Sequence, residues 1–384
     1  MDSINLFDAK KMNIENNKNQ TKKKTTKKLL NLLKYIDLKL IILILILISN
    51  LYLINSLRSL NNFSELISES IFEINSNSYN FDKTNKAENI IKNSFAIQKD
   101  FCDDQNKYLN QHYENMIKLT DFMFKNIEYK IYVYKEGDNY ISNFIIKTKG
   151  YDVKEMTNIY DALEYYGKTK NIRNKKDIYM LDLGANLGVY PSYFGRLGYT
   201  VISFEASRRN YYLLKKNYCL INRNAENIII INRGVSNQEK ICNYYEQITG
   251  LGNGMLKCDE NRKEFVNDGF HWKKIFKVPI TKLSDFIPYF ANKHLALIKL
   301  DIEGSEALVM KDAIEFITKY HIPYIYSEFN INMITEHGNN PREYIKLFID
   351  NGYKVTKEGF FSNNFIPIEK VEPGGLYFTY YGNN

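Results

Sequence analysis

Four acidic residues, Asp182, Glu205, Asp301 and Glu328, each stand at the end of a short apolar run, and that placement is the clearest chemical signal in the chain. Ile178 to Leu183 leads straight into Gly184, Ala185, Asn186, Leu187 and Gly188. A helix-length segment follows to about Leu197, Gly198 stops it, and Thr200 to Phe204 finishes on Glu205. This is a strand–turn–helix–strand half-unit, a design in which ligands collect at the carboxyl ends of the strands. Glycines 184 and 188 let the backbone approach a ligand with no Cβ in the way. Glu205, 17 residues beyond Gly188, is placed to accept hydrogen bonds from two ribose hydroxyls. Asp301 falls where a later strand exits, Gly304 turns the chain, Glu306 opens a helix, and Glu303 sits between them. The run PYIYSEF delivers Glu328 to the same rim.

The turn reads D-x-G-A-N-x-G, with Asn186 where a nicotinamide fingerprint has glycine, so no phosphate cradle is evident. A carboxylate at Asp182 repels a pyrophosphate and suits a cationic ligand. S-adenosylmethionine fits, since it carries a sulfonium, an amino group and a ribose for Glu205. Methyl transfer to a hydroxyl calls for a base or a metal at this rim. Asp301 and Glu328 are the first candidates for the base, with Glu303 and His271 behind them; two or three carboxylates converging there could instead hold Mg²⁺. His271 and His337 read as rim loops, His294 and His321 as the opposite rim, and His112 as surface. No Ser-His-Asp order, H-E-x-x-H or P-loop is present, and Cys102, Cys219, Cys242 and Cys258 show no C-x-x-C or zinc spacing. Their even number is compatible with a disulfide-permissive compartment, while Cys219 within a helical pattern reads as plain core.

The elements that must position these acids alternate. Strand-like runs are Ile178–Leu183, Val201–Glu205, Asn227–Ile231, Leu295–Asp301, Tyr324–Phe329, Tyr353–Thr356 and Leu376–Tyr380. Helices fall at about 188–197, 207–220, 305–319 and 341–350, the last opened by Pro341 and closed by Gly352. Such alternation predicts a mainly parallel sheet with helices on both faces and an antiparallel pair at one edge. Upstream, a helix is expected from Cys102 to Phe124. A lead-in hairpin is expected from strands Ile131–Val133 and Asn143–Lys147 around Glu136-Gly137-Asp138-Asn139.

The formal charge of +8 resides mostly in residues 1–39, where ten lysines face four acids. The remainder is near balance, so a nucleic-acid partner is not expected. Leu38 to Ile54 is a 17-residue apolar run, at the short end of what spans a bilayer. Lysines crowd its upstream flank and only Arg58 precedes Lys83 downstream, which puts the N-terminus in the cytosol. The expected layout is a basic cytosolic tail (1–35), a transmembrane signal anchor (36–54), a stem (55–100), a lead-in helix and hairpin (101–174) and a catalytic domain (175–384). That is a single-pass, type II orientation in the secretory pathway.

The ordered series D-L-G-A-N-L-G (182–188), S-F-E-A (203–206), R-G-V-S-N (233–237), I-T-K-L-S-D-F (280–286), K-L-D-I-E-G-S-E (299–306) and S-E-F-N (327–330) resembles the FkbM-type S-adenosylmethionine-dependent methyltransferases, from about Asp138 to Val355. The resemblance implies a class I methyltransferase-like, Rossmann-like fold with seven strands, the last antiparallel. It also implies O-methylation, often of sugar or polyketide hydroxyls. Carried over by position, Asp182, Gly184, Ala185, Asn186, Gly188, Glu205 and Ala206 are cofactor residues, with Val235 and Ser236 bordering the adenine. The family pattern has Leu-Asp-Asp where this chain has Leu283, Ser284 and Asp285, and Pro where it has Ala206; neither change removes a chemically necessary group. The expectation is a membrane-anchored O-methyltransferase acting on a hydroxyl of a glycan or glycolipid. The alternatives are a methyltransferase for a protein or lipid at the cytosolic membrane face, or an inactive tethered binding module.

Overall fold

The computed structural model describes residues 86–382, except 106, 222–224, 249, 259–261 and 268. The expected basic tail, the expected anchor and the expected stem up to residue 85 lie outside the described residues. Among those described, no helix is long and apolar enough to cross a membrane.

The lead-in differs from its expected form. Helix α1 (Lys86–Asp103) occupies the end of the expected stem and buries Ile90, Ile91, Phe101 and Cys102 against the domain. After α2 (Gln111–Met116), the expected helix to Phe124 is instead β1 (Ile117–Phe124), paired with β2 (Ile127–Tyr134). The hairpin turns on Lys125 and Asn126, both with positive φ (45° and 64°), as a two-residue hairpin turn of the primed kind requires. No glycine marks that turn, so it is silent in the sequence. Asn143–Lys147, expected as a strand, lies within α3 (Ser142–Thr148). Asp138 is the reason: its buried carboxylate accepts from the backbone N–H of Tyr140, Ile141 and Ser142 and from the Ser142 hydroxyl, which organises a first helical turn. Helix α4 (Val153–Thr169) completes the lead-in.

The main sheet follows the expected alternation. It runs β3 (Ile178–Leu183), α5 (Val189–Arg196), β4 (Thr200–Phe204), α6 (Arg208–Ile221) and β5 (Ile228–Ile231). An insertion then carries β6 (Gly234–Ser236), β7 (Ile241–Gln247), β8 (Gly250–Lys257), β9 (Glu264–Asn267) and β10 (Phe270–Lys282). The chain returns as β11 (His294–Leu300), α7 (Glu306–Lys319), β12 (Tyr324–Phe329), α8 (Ile331–Glu336), α9 (Pro341–Asp350), β13 (Tyr353–Thr356) and β14 (Gly374–Tyr380). The seven-stranded order is β13-β14-β12-β11-β3-β4-β5, with β14 antiparallel to both neighbours and the other pairings parallel. Successive residues of each central strand enter different apolar layers. Met180, Val201, Ile230 and Leu297 pack with α4, α5 and α6, while Leu181, Ile202, Ile231 and Ile298 pack with α7 and α9. Two buried faces explain why these strands read as continuous apolar runs rather than alternating ones.

Strand β5 would be an open edge, and α1 closes it. The fully buried Gln98 donates to Ile228 O at 2.7 Å and accepts from Ile230 N at 3.0 Å, so one side-chain amide stands in for a neighbouring strand. A disulfide from Cys102 to Cys219 ties the end of α1 to α6, so Cys219 is a crosslink rather than plain core. A second, Cys242–Cys258, joins β7 to the residue just after β8. The insertion forms a sheet of order β6-β10-β7-β8, with β9 on β10; apolar periodicity marks no element there.

Candidate functional site

The carboxyl ends of the parallel strands open on a cavity of about 370 Å³, within the range of small-molecule sites. Its floor is the rim of the sheet: Val235 after β5, Glu205 and Ala206 after β4, Gly184 and Asn186 after β3, Asp301 and Glu303 after β11, Glu328 and Asn330 on β12 and just after it. Tyr140 and Tyr151 of the lead-in and Gln247, Asn253 and Trp272 of the insertion supply walls. None of those five is marked by a sequence motif. The one signal available was the run G-L-G-N-G (250–254), whose Gly252 (φ 98°) lies along Asp138 and whose carbonyl accepts from Asn186 Nδ2 and Asn210 Nδ2 at 3.3 Å.

The glycine turn is built for close approach. Gly184 has φ 87°, and a Cβ there would lie 1.7 Å from the Asp301 carbonyl oxygen. Gly184 N and Ala185 N both donate to Phe204 O at 3.0 Å, which binds the turn to the end of β4. Asn186 adopts φ 51° and donates its N–H to Glu205 Oε2 at 2.7 Å, while Ser207 N donates to Glu205 Oε1 at 2.8 Å. Each Glu205 oxygen thus has one backbone donor; with the Asn210 side chain also bonded to the carboxylate, acceptor capacity still remains for a ligand. Burial pushes this carboxyl up to about 7, against the lowering effect of those two N–H groups. A buried acid facing the cavity with spare acceptor capacity fits the ribose of S-adenosylmethionine, and Gly184, whose missing side chain makes room for the Asp301 carbonyl, lines the cavity beside it.

Not every expected cofactor residue reaches the cavity. Asp182 is fully buried beneath the turn, 3.4 Å from Lys299 Nζ. Ala185 and Ser236 are buried and do not line the cavity. Gly188 (φ 93°) is required by α6, since a Cβ would meet Leu214 Cδ1 at 2.3 Å.

The three candidate carboxyls do converge. Glu328 is pushed up to about 10, first by the negative charge of Asp301 with which it shares a hydrogen bond, then by burial. Glu303, at φ 55°, is pushed up to about 8 by burial and then by Asp301. Glu306 accepts from Ile302 N at 2.8 Å and belongs to the turn. Asp152, absent from sequence expectations, caps α4 at φ 47° and accepts from Tyr190 OH at 2.9 Å. Among the described residues, no group of three His, Cys, Asp or Glu is arranged to hold a metal ion. The two candidate histidines stand elsewhere. His271 is on β10, 3.4 Å from Glu264, rather than in a rim loop. His337 Nδ1 lies 2.9 Å from Met333 O and its Nε2 3.3 Å from Leu256 O, behind the cavity wall.

The methyltransferase FkbM domain model matches residues 182–355. No curated protein matches the chain. Among solved structures, the bifunctional kinase-methyltransferase WbdD is 9% identical over 59% of this chain and 39% of its own, with a TM-score of 0.34. Cofactor-bound Rv0187 from MTB is 10% identical over 58% and 81%, TM-score 0.31. Magnesium protoporphyrin IX methyltransferase (ChlM) from Synechocystis PCC 6803 with bound SAM is 9% identical over 62% and 84%, TM-score 0.32. The chain therefore spans about two fifths of the length of WbdD.

The raised carboxyls have a consequence for stability. Glu303 and Glu328 hold protons in the folded chain that the unfolded chain has released above the ordinary value of 4.5. Their contribution is complete below that value and is lost as pH rises through about 8 and about 10. Lysine-paired surface acids such as Asp121, held low first by Lys130, act only in the acid range. The thermal midpoint of the cofactor-free chain should therefore fall as pH is raised from neutral into the alkaline range. Glu328→Gln should flatten that fall; a midpoint that rises instead would contradict the assignment.

Proposed function

We propose that this chain, which belongs to the FkbM methyltransferase family and takes S-adenosylmethionine as its cofactor, methylates a hydroxyl of a glycan or glycolipid from a membrane-anchored, lumenal domain. The cofactor, when bound, supplies an electrophilic methyl group on a sulfonium. Glu205, Ala206 and Val235 would hold its adenosine over β4 and β5, and Gly184 and Asn186 its passage over β3. Adjacent strands lie about 4.8 Å apart, so Asp301, two strands from Glu205, stands about 10 Å further along the rim. That leaves the space over β11 and β12 for the acceptor. There Asp301 is positioned to take the hydroxyl proton, and the protonated Glu328 to hold the facing carboxylate by a hydrogen bond.

The observation that carries the acceptor class is the make-up of the cavity lining. Tyr140, half-exposed, and Tyr151 line it with aromatic rings, and Gln247, Asn253 and Asn330 add amide-bearing residues. Flat aromatic faces and neutral amides match the alternating apolar and hydroxyl surfaces of a sugar ring. Labelled-methyl transfer by the full chain to a panel of glycans tests this reading. Asp301→Asn should lower turnover at least about 10²-fold with cofactor affinity little changed. Near-normal turnover in that variant would place the base elsewhere.

The anchored, lumenal part of the reading is supported by the lysine asymmetry around residues 36–54 and by the cysteines. All four in the chain are paired in disulfides, which persist in oxidising compartments. Thiol labelling of the denatured, unreduced protein taken from its native membrane should find no free cysteine. Protease added to sealed microsomes should spare the fragment that carries residues 86–382. Four reactive thiols and digestion of that fragment would instead place the domain on the cytosolic face.

A further inference from the structure

Lys299 sits one residue before the end of β11 and is 2% exposed. Its Nζ lies 3.2 Å from Asp301 Oδ2 and 3.4 Å from Asp182 Oδ1, and donates to Gly184 O at 3.2 Å. The Tyr190 ring centroid is 5.0 Å away, and the hydroxyl of that ring donates to Asp152. The ammonium therefore lies among three oxygens at the ends of two neighbouring strands, donating to Gly184 O and Asp301 Oδ2 and pairing by charge with Asp182. Asp182 and Gly184 belong to β3 and the cofactor turn; Asp301 belongs to the acceptor side. A single buried cation spans the two halves of the site.

The groups that act on Asp301 come from every element around it. Asp182 lies on β3, Glu303 and Glu306 on the turn and α7, Glu328 and Tyr326 on β12, Tyr151 and Asp152 at the start of α4, and Tyr190 on α5. Lys299 is the cation among them. Burial opposes its charge, and Asp301 and Asp182 more than offset that, so its pKa is raised.

We propose that Lys299 is a positioning residue of the methyl transfer, bridging Asp182 and the Gly184 carbonyl to Asp301 so that the negative charge of the facing carboxyls stays on Asp301, at a fixed place relative to the cofactor turn. The proposal rests on Asp301 being the base. In the reaction Asp301 accepts the hydroxyl proton as the oxygen bonds to the methyl carbon, and the electron pair of the broken carbon–sulfur bond remains on sulfur. Without Lys299, Asp182 and Asp301 would face each other across the turn with no cation between them. The proton would then distribute over the carboxyls rather than reside on Glu328, leaving less of the basic form of Asp301 at neutral pH.

Two substitutions push the system in opposite directions. Lys299→Met removes the cation, so Asp301 should titrate higher, by roughly one to three pH units for an opposite charge at this range. Asp182→Asn removes the second carboxyl that shares Lys299, one whose own charge burial opposes, and leaves the cation to Asp301, so the measured Asp301 titration should move lower. Carbon NMR of the cofactor-free full chain with labelled aspartate reads this directly, the Asp301 signal being the one absent from Asp301→Asn. The acid limb of kcat against pH should move with it, kcat at neutral pH should fall at least tenfold in Lys299→Met, and Lys299→Arg should restore part of the loss. If thermal melting shows that Lys299→Met is unfolded, the downward shift in Asp182→Asn decides alone. An Asp301 signal that stays put in both folded variants overturns the role of Lys299. A signal that moves while the kcat profile does not overturns Asp301 as the base, and the proposal with it.

Discussion

The carboxyl ends of β3 and β11 meet at backbone distance, and the layout of the rim depends on that contact. Asp301 N donates to Leu183 O at 3.1 Å, and the Gly184 Cα faces the Asp301 carbonyl so closely that no side chain fits between them. Strand order reverses at this point, since the chain builds β3-β4-β5 to one side and β11-β12 to the other. A crevice opens where such sheets reverse. One contact thus holds the glycine turn and the candidate base together, with Glu205 to one side and Glu328 to the other.

Concentrating acids at this crevice is expensive, because each buried charge costs several kcal/mol unless it is paired. The structure meets the cost in three ways. Lys299 lies between Asp182 and Asp301, and burial pushes the Asp182 carboxyl up; backbone N–H groups serve Glu205 and Glu306; and retained protons neutralise Glu328 and Glu303. Backbone strain is stored at the same place, in Asp152, Asn186 and Glu303, each non-glycine residues with φ near 50°. Such residues cost on the order of 1–3 kcal/mol each and persist only where surrounding packing fixes them. Here the packing is the two apolar layers on either face of the sheet, clamped by α1 and the Cys102–Cys219 disulfide.

The parallel sheet was legible because each strand is a short apolar run bounded by an acid or a glycine, and that signal survives without any homologue. Three of the four expected rim acids, Glu205, Asp301 and Glu328, followed from it, as did the turn from Gly184 to Asn186; Asp182 lies buried beneath that turn instead. What was hidden had physical causes. The hairpin turn at Lys125-Asn126 lacks glycine, and α3 depends on a buried Asp138 whose partners cannot be read from spacing. Gln98 caps β5 across more than a hundred residues of chain. In the insertion sheet β7 is buried at every residue after Ile241 while β8 is mostly half-buried, so polar and apolar positions follow no single period. Lys299 looked like one charge among many, since only the fold reveals that it is buried between Asp182 and Asp301.

The central claim is that Glu205 reads the cofactor ribose while chemistry occurs two strands away at Asp301. Calorimetric titration of the full chain and its Glu205→Ala variant with S-adenosylmethionine tests it most directly. Loss of charge-assisted hydrogen bonds to the ribose should weaken binding by roughly 1.5–3 kcal/mol, with the variant still folded. Unchanged affinity in the folded variant, or preferential binding of NAD by the parent chain, would contradict the account.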